Sequence, residues 1–253
     1  MSDLPRVIVT NDDGIDSPGL RMLAAALADE FDVVVAAPAT DMSGSGTGIG
    51  GFDPVKGVDL TTVDIPGITA YTIAGPPGLA VMAAALGAFG RFPDLVVSGI
   101  NAGMNTGHSI IHSGTVGAAL TARTFRSRGI AISLAQSDPW QWETAVEIGV
   151  SAVQWLIGRS GSPYVLNVNV PGVPLKEING IHWADLDEFG YFRVANADVE
   201  DRKLQFVVGS SSAGTDPGSD TALCAKNFVT VTPLATIEPA RFPDIEASAV
   251  WKP

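Results

Sequence analysis

Short, uninterrupted runs of aliphatic residues constrain the fold of this chain more than any other feature. The first run, Val7-Ile8-Val9, is followed by residues 20–28, in which apolar side chains recur every three or four positions. That spacing predicts a helix, whereas a continuous Val/Ile run predicts a strand buried on both faces. Buried strands that alternate with helices are typical of a parallel sheet covered by helices on both sides, so an α/β fold is predicted.

The same alternation continues as far as Pro171. Further strands are predicted at residues 33–36, 94–98, 130–132 and 164–168, and further helices at residues 79–89, 116–125 and 143–157. Beyond Pro171, four strands without long helices between them are predicted at residues 178–183, 191–195, 204–208 and 228–231. We therefore predict a doubly wound, mostly parallel, Rossmann-like sheet that carries an antiparallel C-terminal β extension.

This change of pattern suggests two regions within one structural unit. Residues 1–172 are predicted to form the α/β catalytic core, which would include any metal site. Residues 173–253 are predicted to form the β-rich extension and a C-terminal tail that serves oligomerisation. Residues 209–219, which are rich in Gly and Ser, are predicted to be a mobile loop between two strands of the extension.

Charge and composition exclude several classes of protein. The formal charge is −12 and the sequence has no Lys/Arg cluster, so an extended nucleic acid is not expected as a partner. No apolar run approaches the roughly 20 residues of a membrane-spanning helix. Residues 1–6 also lack the pattern of a secretion signal, which predicts a soluble, cytoplasmic protein. The single cysteine, Cys224, excludes an internal disulfide framework and is expected to be a buried apolar side chain.

Polar residues follow three predicted strands directly, at the sheet edge where α/β proteins bind ligands. The three segments are Asn11-Asp12-Asp13-Gly14, Asp41-Met42-Ser43-Gly44 and Ser98-Gly99-Ile100-Asn101. Adjacent carboxylates after a buried strand repel each other unless a cation neutralises them, and oxygen ligands favour Mg²⁺ or Mn²⁺. An ordinary Asx turn that caps a helix is the competing interpretation of the first segment.

A second candidate site is Ser113-Gly114-Thr115, which precedes a predicted helix. Its hydroxyls and the first backbone N–H groups of the helix could bind a phosphate at the positive end of the helix dipole. A plain N-cap by Ser113 or Thr115 is the alternative, and both roles are compatible. Gly103 and Asn105 lie in the same loop as Asn101, where they either contact substrate or only shape the loop.

With these segments identified, the chain resembles the SurE nucleotidases. Residues 9–19, Val-Thr-Asn-Asp-Asp-Gly-Ile-Asp-Ser-Pro-Gly, are similar to the opening signature of that family. Further similar blocks follow in the family's order: Ala37-Pro38 with Ser43-Gly44, and residues 94–107, 113–119, 166–171 and 229–234. An ordered set that extends to about residue 234 is far more specific than any single motif.

The resemblance implies a metal-dependent hydrolase with one divalent cation per subunit, Mg²⁺ or Mn²⁺, which Ca²⁺ could replace in crystals. The implied metal ligands are Asp12, Asp13, Ser43 and Asn101. The implied catalytic residues are Asp12, Asp13, Asn101 and Ser113. The implied contacts with substrate or its phosphate are Asn11, Ser43, Gly44, Gly103, Asn105, Ser113, Gly114 and Thr115.

The implied reaction is the hydrolysis of nucleoside 5′- or 3′-monophosphates to nucleoside and phosphate by a metal-activated water. A small phosphorylated substrate is compatible with the acidic chain, because a bound cation can reverse the local field. Together with the apolar tail at residues 245–251, the resemblance also implies a homodimer or homotetramer that exchanges C-terminal segments. A metal- or nucleotide-binding protein with weakened catalysis is the alternative function.

Several positions depart from the family pattern. Thr121-Ala122 stand in place of a glutamate-glycine pair, Gly75 to Ala80 in place of Gly-Thr-Pro-Ala-Asp-Cys, Met42 in place of arginine and His112 in place of tyrosine. These differences affect subunit packing and contacts with the nucleotide base more than the chemistry. His108 and His112 either touch substrate or pack within their loop, and His182 is expected to be structural.

Two other enzyme classes are not favoured. Residues 46–51 match the dinucleotide-binding pattern G-x-G-x-x-G, but that pattern should follow the first strand directly and open a helix. Here it lies beyond the second strand and continues into Phe52-Asp53-Pro54, which favours a flexible loop beside the metal site. No G-x-x-x-x-G-K-[ST] motif is present, so a P-loop nucleotide hydrolase is excluded.

Overall fold

A computed structural model describes residues 4–159, 165–190, 192–200, 203–210 and 216–237. Within these residues the strands are β1 (Arg6–Thr10), β2 (Asp32–Pro38), β3 (Leu60–Ile65), β4 (Ile68–Ile73), β5 (Leu95–Ala102), β6 (Arg128–Leu134), β7 (Val165–Val170), β8 (Gly180–Trp183), β9 (Phe192–Glu200), β10 (Lys203–Ser210) and β11 (Phe228–Leu234). The α-helices are α1 (Pro18–Leu27), α2 (Pro77–Ala85), α3 (Gly114–Thr124), α4 (Trp142–Ile157) and α5 (Asp220–Cys224). Short 3₁₀ helices occupy His108–His112 and Leu175–Glu177.

Nine of these strands form one sheet in the order β3-β4-β2-β1-β5-β6-β7-β11-β8. Within this order, the neighbouring strands β4, β2, β1, β5, β6 and β7 all run parallel to one another. Strand β3 runs antiparallel to β4, and β11 runs antiparallel to β7. The predicted doubly wound, mostly parallel α/β sheet is therefore confirmed.

Strand β1 shows how the sequence builds a helix layer on each face. Val7 and Val9 point to one face and join the core that includes Leu20 and Leu23 of α1. Ile8 points to the other face and joins a core that includes residues of α2 and α3. All three β1 side chains are at most 1% exposed, because helices cover both faces of this strand. A continuous apolar run is the sequence pattern that such two-sided burial requires.

The strands and helices predicted before Pro171 are confirmed, with shifts at their ends. Helix α2 ends at Ala85, before the predicted residue 89, and β5 continues to Ala102, beyond the predicted residue 98. The β3–β4 hairpin was not predicted. Its outer strand has the sequence Leu-Thr-Thr-Val-Asp-Ile and is mostly exposed at the sheet edge, so it lacks an apolar run.

The C-terminal region combines both strand directions. Strand β11 is antiparallel to β7 as predicted, and β8 pairs parallel with β11 at the edge of the sheet. Strands β9 and β10 form a separate antiparallel ribbon. Since β8 and β11 extend the main sheet, the two predicted regions share one sheet, and the oligomerisation role of residues 173–253 stays a proposal.

Some predictions concern residues outside the described part of the chain. These residues are Tyr164, Tyr191, positions 211–215 of the predicted mobile loop and the apolar tail at positions 245–251. Within that predicted loop, Gly209 and Ser210 end β10, and Ser219 caps α5 by accepting a hydrogen bond from the Ala222 amide. No helix in the described ranges is long and apolar enough to span a bilayer.

Cys224 lies in α5, where it is 4% exposed and forms no disulfide. Burial, together with the nearby charge of Asp220, raises the pKa of its thiol to about 12. The expectation of a buried cysteine is confirmed.

The sheet order brings three loops together. Strand β1 lies between β2 and β5, so the chain leaves β1 towards one side of the sheet and later returns on the other. This arrangement is a topological switch point, where the carboxyl ends of neighbouring strands form a crevice. The loops that follow β1, β2 and β5 meet there.

Candidate metal and phosphate site

Asn11 builds the turn that follows β1. Its Nδ2 donates to the Gly14 carbonyl at 3.0 Å, and its Oδ1 accepts from the Gly14 amide at 3.2 Å. Gly14 has φ +101°, a backbone conformation that favours glycine. Asn11 is fully buried and uses both side-chain groups on Gly14, and its predicted contact with phosphate stays a prediction. Its role is that of an Asx-type turn residue that orients the next two carboxylates.

Asp12 is 3% exposed and lies against the start of α3. Its Oδ1 accepts a short hydrogen bond from the Thr115 hydroxyl. Burial raises the pKa of Asp12, while hydrogen bonds from the Thr115 hydroxyl and from the Gly114 and Thr115 backbone amides oppose that effect. The carbonyl of Asp12 accepts from the Met42 amide at 2.7 Å, which ties the β1 turn to the loop after β2.

Asp13 has a buried carboxylate oxygen, Oδ2, with no hydrogen-bond partner among the described residues. Burial, and then the negative charge of Asp12, raise the pKa of Asp13 to about 6. The Ala102 backbone opposes this rise, and the charge of Asp41 adds to it. A buried carboxylate oxygen without a partner is costly, so this atom is suited to a cation.

Asn101 lies near the end of β5, and its side chain contacts both the loop after β5 and helix α3. Its Nδ2 donates to the Gly103 carbonyl at 2.7 Å. Its Oδ1 lies 3.2 Å from the Thr115 hydroxyl oxygen, which also contacts Asp12. The ends of β1 and β5 therefore present oxygen atoms to the same small region.

Ser43 lies exposed in the loop after β2, where Asp41 holds it. The Ser43 hydroxyl donates to Asp41 Oδ1 at 2.6 Å, and the Ser43 amide donates to the same oxygen at 2.7 Å. These bonds lower the pKa of Asp41. The Ser43 oxygen retains lone pairs for a cation. Asp41 begins the polar segment after β2, but its residue type alone did not indicate this role.

These oxygens fit a hard divalent cation. Asp12 and Asp13 supply carboxylates, Asn101 an amide oxygen and Ser43 a hydroxyl, and Mg²⁺ and Mn²⁺ prefer such ligands. The described part of the chain contains no cluster of three or more His, Cys, Asp or Glu side chains placed to hold a metal. A cation here would therefore depend on neutral oxygens and water besides the two carboxylates. The unpartnered Asp13 oxygen is the structural feature that supports this fit.

Helix α3 begins beside Asp12, and its first backbone N–H groups are already engaged. Ser113 is the N-cap, whose Oγ accepts from the Val116 amide at 3.2 Å. The Gly114 and Thr115 amides face the Asp12 carboxylate. The N-cap interpretation of Ser113 is confirmed, and the positive end of the helix acts on Asp12. The Ser113 hydroxyl uses only its oxygen as an acceptor in this cap, so its hydrogen remains able to donate to a phosphate.

Two glycines of α3 permit this close approach. A Cβ at Gly114 would lie 2.7 Å from both Cβ and Oδ2 of Asp12, and 2.5 Å from the Ser45 hydroxyl oxygen. A Cβ at Gly117 would lie 1.9 Å from the Gly46 carbonyl oxygen. The helix thus packs directly on the β1 turn and on the loop after β2. Ser45, whose hydroxyl is buried beside Asp12, was not identified from the sequence.

Asn105 shapes the loop after β5. Its amide donates to Asn169 Oδ1 at 2.8 Å and its Nδ2 donates to the Ser133 hydroxyl at 2.9 Å. Its carbonyl accepts from the Nδ2 groups of Asn167 and Asn169. Gly103 has φ +134° and donates its amide to backbone carbonyls. Of the alternatives for Gly103 and Asn105, these contacts support the conformational one.

The remaining candidates lie around the site or away from it. His108 and His112 are exposed on the 3₁₀ helix, and the His112 carbonyl accepts from the Gly46 amide at 3.1 Å. Gly44 is exposed with φ +83°. His182 packs edge-on against the Phe228 ring at the far edge of the sheet, which agrees with its expected structural role.

Comparison with known proteins gives concordant results. Residues 7–192 match the family model described as Survival protein SurE. The chain is 35% identical over 234 residues to the 5′-nucleotidase SurE of Chloroflexus aggregans, which covers 90% of this chain and 92% of that protein. It is 32% identical over 250 residues to the 5′-nucleotidase SurE of Nitrosococcus oceani, with 97% of each covered. The crystal structure of the SurE protein from Aquifex aeolicus matches with a TM-score of 0.77 and 29% identity, covering 91% of this chain and 93% of that one.

Proposed function

Because the chain belongs to the SurE family, we propose that it is a 5′-nucleotidase whose hydrolysis of nucleoside monophosphates requires a divalent cation. The chain matches relatives that are 5′-nucleotidases over nearly its whole length and theirs, so it is a hydrolase of phosphoric monoesters. We extend the proposal to one Mg²⁺ or Mn²⁺ per subunit, held by Asp12, Asp13, Ser43 and Asn101, and to activity on 3′-monophosphates. The observation that carries it is the unpartnered, buried Oδ2 of Asp13 beside the buried Asp12.

When bound, a divalent cation supplies Lewis-acid polarisation and lowers the pKa of water. The side chains of the protein prepare the site. Asp12 and Asp13 bring two carboxylates together, and the start of α3 stabilises the ionised form of Asp12. Asn101 directs its amide oxygen inward because its Nδ2 is bound to Gly103. We assign to the Ser113 hydroxyl a hydrogen bond that it donates to the phosphoryl group as the charge of that group redistributes.

The experiment that tests the function is an assay of phosphate release. Purified protein with Mg²⁺ or Mn²⁺ is incubated with 5′- and 3′-nucleoside monophosphates and with p-nitrophenyl phosphate. We expect hydrolysis of nucleoside monophosphates by metal-loaded protein. Binding of the cation and the nucleotide without phosphate release would support the alternative, a binding protein with weakened catalysis. The chain departs from the family pattern at Thr121-Ala122, Met42 and residues 75–80, so the assay also tests whether these departures weaken catalysis.

Ser113→Ala is expected to weaken transition-state stabilisation by about 1.5 to 3 kcal/mol, comparable to a hydrogen bond to a charged group. Cation affinity should stay unchanged, because Ser113 is assigned to the phosphate. The variant also loses the N-cap of α3, which costs about 1 kcal/mol of stability. The measurements are kcat/KM, inhibition by inorganic phosphate and calorimetric cation affinity.

Ser113→Gly separates the two effects, since glycine at an N-cap costs only a few tenths of a kcal/mol relative to serine. It should lose as much kcat/KM as the alanine variant with a smaller drop in melting temperature. If kcat/KM and phosphate inhibition are unchanged in both variants, Ser113 acts only as the N-cap of α3. A large loss of cation affinity would place it among the metal ligands.

We also propose that the protein is a homodimer or homotetramer. An open apolar groove of about 550 Å³, lined by Trp155, Ile181 and Trp183 among others, lies beside strands β7, β11 and β8. These three side chains are between 42% and 61% exposed, which is compatible with a face that another subunit covers. Light scattering that gives the mass of a single 26.2 kDa chain would contradict the proposal.

A further inference from the structure

We infer that Thr115 is a positioning residue, which sets the relative placement of the Asp12 and Asn101 oxygens and does not contact the substrate. The inference rests on the proposed function, since it takes these two oxygens as ligands of the cation. It changes the role expected from the sequence, where Thr115 is a donor to the phosphate. The starting observation is that one hydroxyl contacts both side chains.

Thr115 is fully buried at the second position of α3. Its Oγ1 donates a short hydrogen bond to Asp12 Oδ1 and lies 3.2 Å from Asn101 Oδ1. A hydroxyl has a single hydrogen, so it donates fully to only one of the two oxygens at a time. Asp12 follows β1 and Asn101 ends β5, so this contact couples the ends of two neighbouring strands through the helix.

The neighbouring Ser113 faces a different environment. Ser113 is the N-cap and its hydroxyl oxygen lies at the Val116 amide, whereas the Thr115 hydroxyl lies at Asp12 and Asn101. Ser113 is only partly buried, whereas Thr115 has no exposed surface. The two hydroxyls of this segment therefore have separate roles, with Ser113 directed to the phosphate and Thr115 to the ligand side chains.

The contact with Asp12 is more than a helix cap. Ser113 already provides the N-cap of α3, so Thr115 is not needed for that purpose. Its hydrogen bond restricts rotation of the Asp12 carboxylate, and the same hydroxyl can turn to donate to the Asn101 amide oxygen, which lies within hydrogen-bond distance. Groups that hydrogen-bond to metal ligands orient them, and their loss typically weakens metal affinity about 10- to 100-fold.

Helix α3 offers a matched control in Thr121. Thr121 is 8% exposed, and its hydroxyl donates to the Gly117 carbonyl at 2.7 Å, within the same helix. No hydrogen bond links it to Asp12, Asp13 or Asn101 among the described residues. Thr121→Val removes a buried hydroxyl from α3 at nearly constant volume, as Thr115→Val does, but away from the ligand side chains.

The test is calorimetric titration of chelator-treated protein with Mn²⁺. We expect Thr115→Val to bind Mn²⁺ about 10- to 100-fold more weakly than wild type, as for other losses of ligand-orienting groups. Thr115→Ser, which keeps the hydroxyl, should restore the affinity, and Thr121→Val should match wild type. At saturating Mn²⁺ the KM for a nucleoside monophosphate should be unchanged in Thr115→Val. Thr115→Ala provides the same comparison if the valine variant does not fold.

Three results would overturn the inference. Wild-type Mn²⁺ affinity in Thr115→Val and Thr115→Ala would show that the hydroxyl does not position the ligands. Wild-type affinity with a raised KM would make Thr115 a substrate contact. If Thr115→Ser binds Mn²⁺ as weakly as Thr115→Val, the loss of affinity comes from the shape of the side chain and not from the hydroxyl. Absence of Mn²⁺ binding by wild type would instead refute the proposed metal dependence, and with it this role of Thr115.

Discussion

Protein treated exhaustively with EDTA is expected to release no phosphate from nucleoside monophosphates above the rate without enzyme. In the proposed site, Asp12 and Asp13 present two carboxylates to the phosphate dianion of the substrate. Among the described residues, no Lys or Arg forms an ion pair with either carboxylate. Without a cation, the site would repel its substrate and would lack the Lewis acid that lowers the pKa of water.

The measurement compares turnover before chelation, after chelation and after addition of Mg²⁺ or Mn²⁺ in excess over EDTA. Full recovery is expected with either cation. Circular dichroism in EDTA serves as the control, since a lost fold would explain inactivity for a different reason. Activity that persists after exhaustive chelation would end the metal mechanism and leave the paired carboxylates without an explanation.

The layered core could be predicted from the sequence because its physical cause is local. A strand buried on both faces must be apolar at successive positions, and Val7, Ile8 and Val9 meet that requirement while contributing to cores on both sides of the sheet. The β3–β4 hairpin could not be predicted in this way. Strand β3 lies at the sheet edge, so it carries Thr61, Thr62 and Asp64 without destabilising the fold.

The convergence of the site was also predictable, because the carboxyl ends of neighbouring parallel strands meet at one edge. Asp12 and Asn101, which are distant in sequence, approach the same Thr115 hydroxyl. Side-chain direction was not predictable. Asn11 and Thr115 occupy the positions expected of ligand-binding residues, yet both are fully buried and bind other parts of the protein. A hydroxyl or amide at a strand end can point into the protein interior or towards a ligand, and tertiary packing determines which direction it takes.

Three residues not identified from the sequence, Asp41, Asn167 and Asn169, affect the site by holding another residue in position. Asp41 orients Ser43 by accepting from both its hydroxyl and its amide, and it adds negative charge near Asp13. Asn167 and Asn169 lie within strand β7, where they hold the loop at Asn105. The contacts of Asn167 and Asn169 join distant segments, so spacing does not indicate them, whereas Asp41 and Ser43 are only two residues apart.

Asp13→Asn is expected to reduce kcat/KM on the order of a hundredfold or more, which is typical of damage to a metal site. The substitution preserves volume but removes a charged ligand. It should not destabilise the metal-free protein near neutral pH. Burial and Asp12 raise the pKa of Asp13 to about 6 from an ordinary value of 3.8, so the folded protein binds this proton more tightly than the unfolded chain. The stability that protonation contributes is fully present below pH 3.8 and is lost as the pH rises through about 6.

Near neutral pH the ionised Asp13 is therefore a cost to the metal-free fold, and the neutral amide of the Asp13→Asn variant avoids that cost. Thermal melting in EDTA near neutral pH should give the variant a melting temperature no lower than that of wild type, while its catalysis is greatly reduced. Asp16→Asn is the matched control, because Asp16 lies in the same segment with its side chain 86% exposed in a surface ion pair with Arg21. Its kcat/KM should equal that of wild type. A fully active Asp13→Asn variant would remove Asp13 from the ligand set, and a variant that melts well below wild type in EDTA would assign Asp13 a structural role.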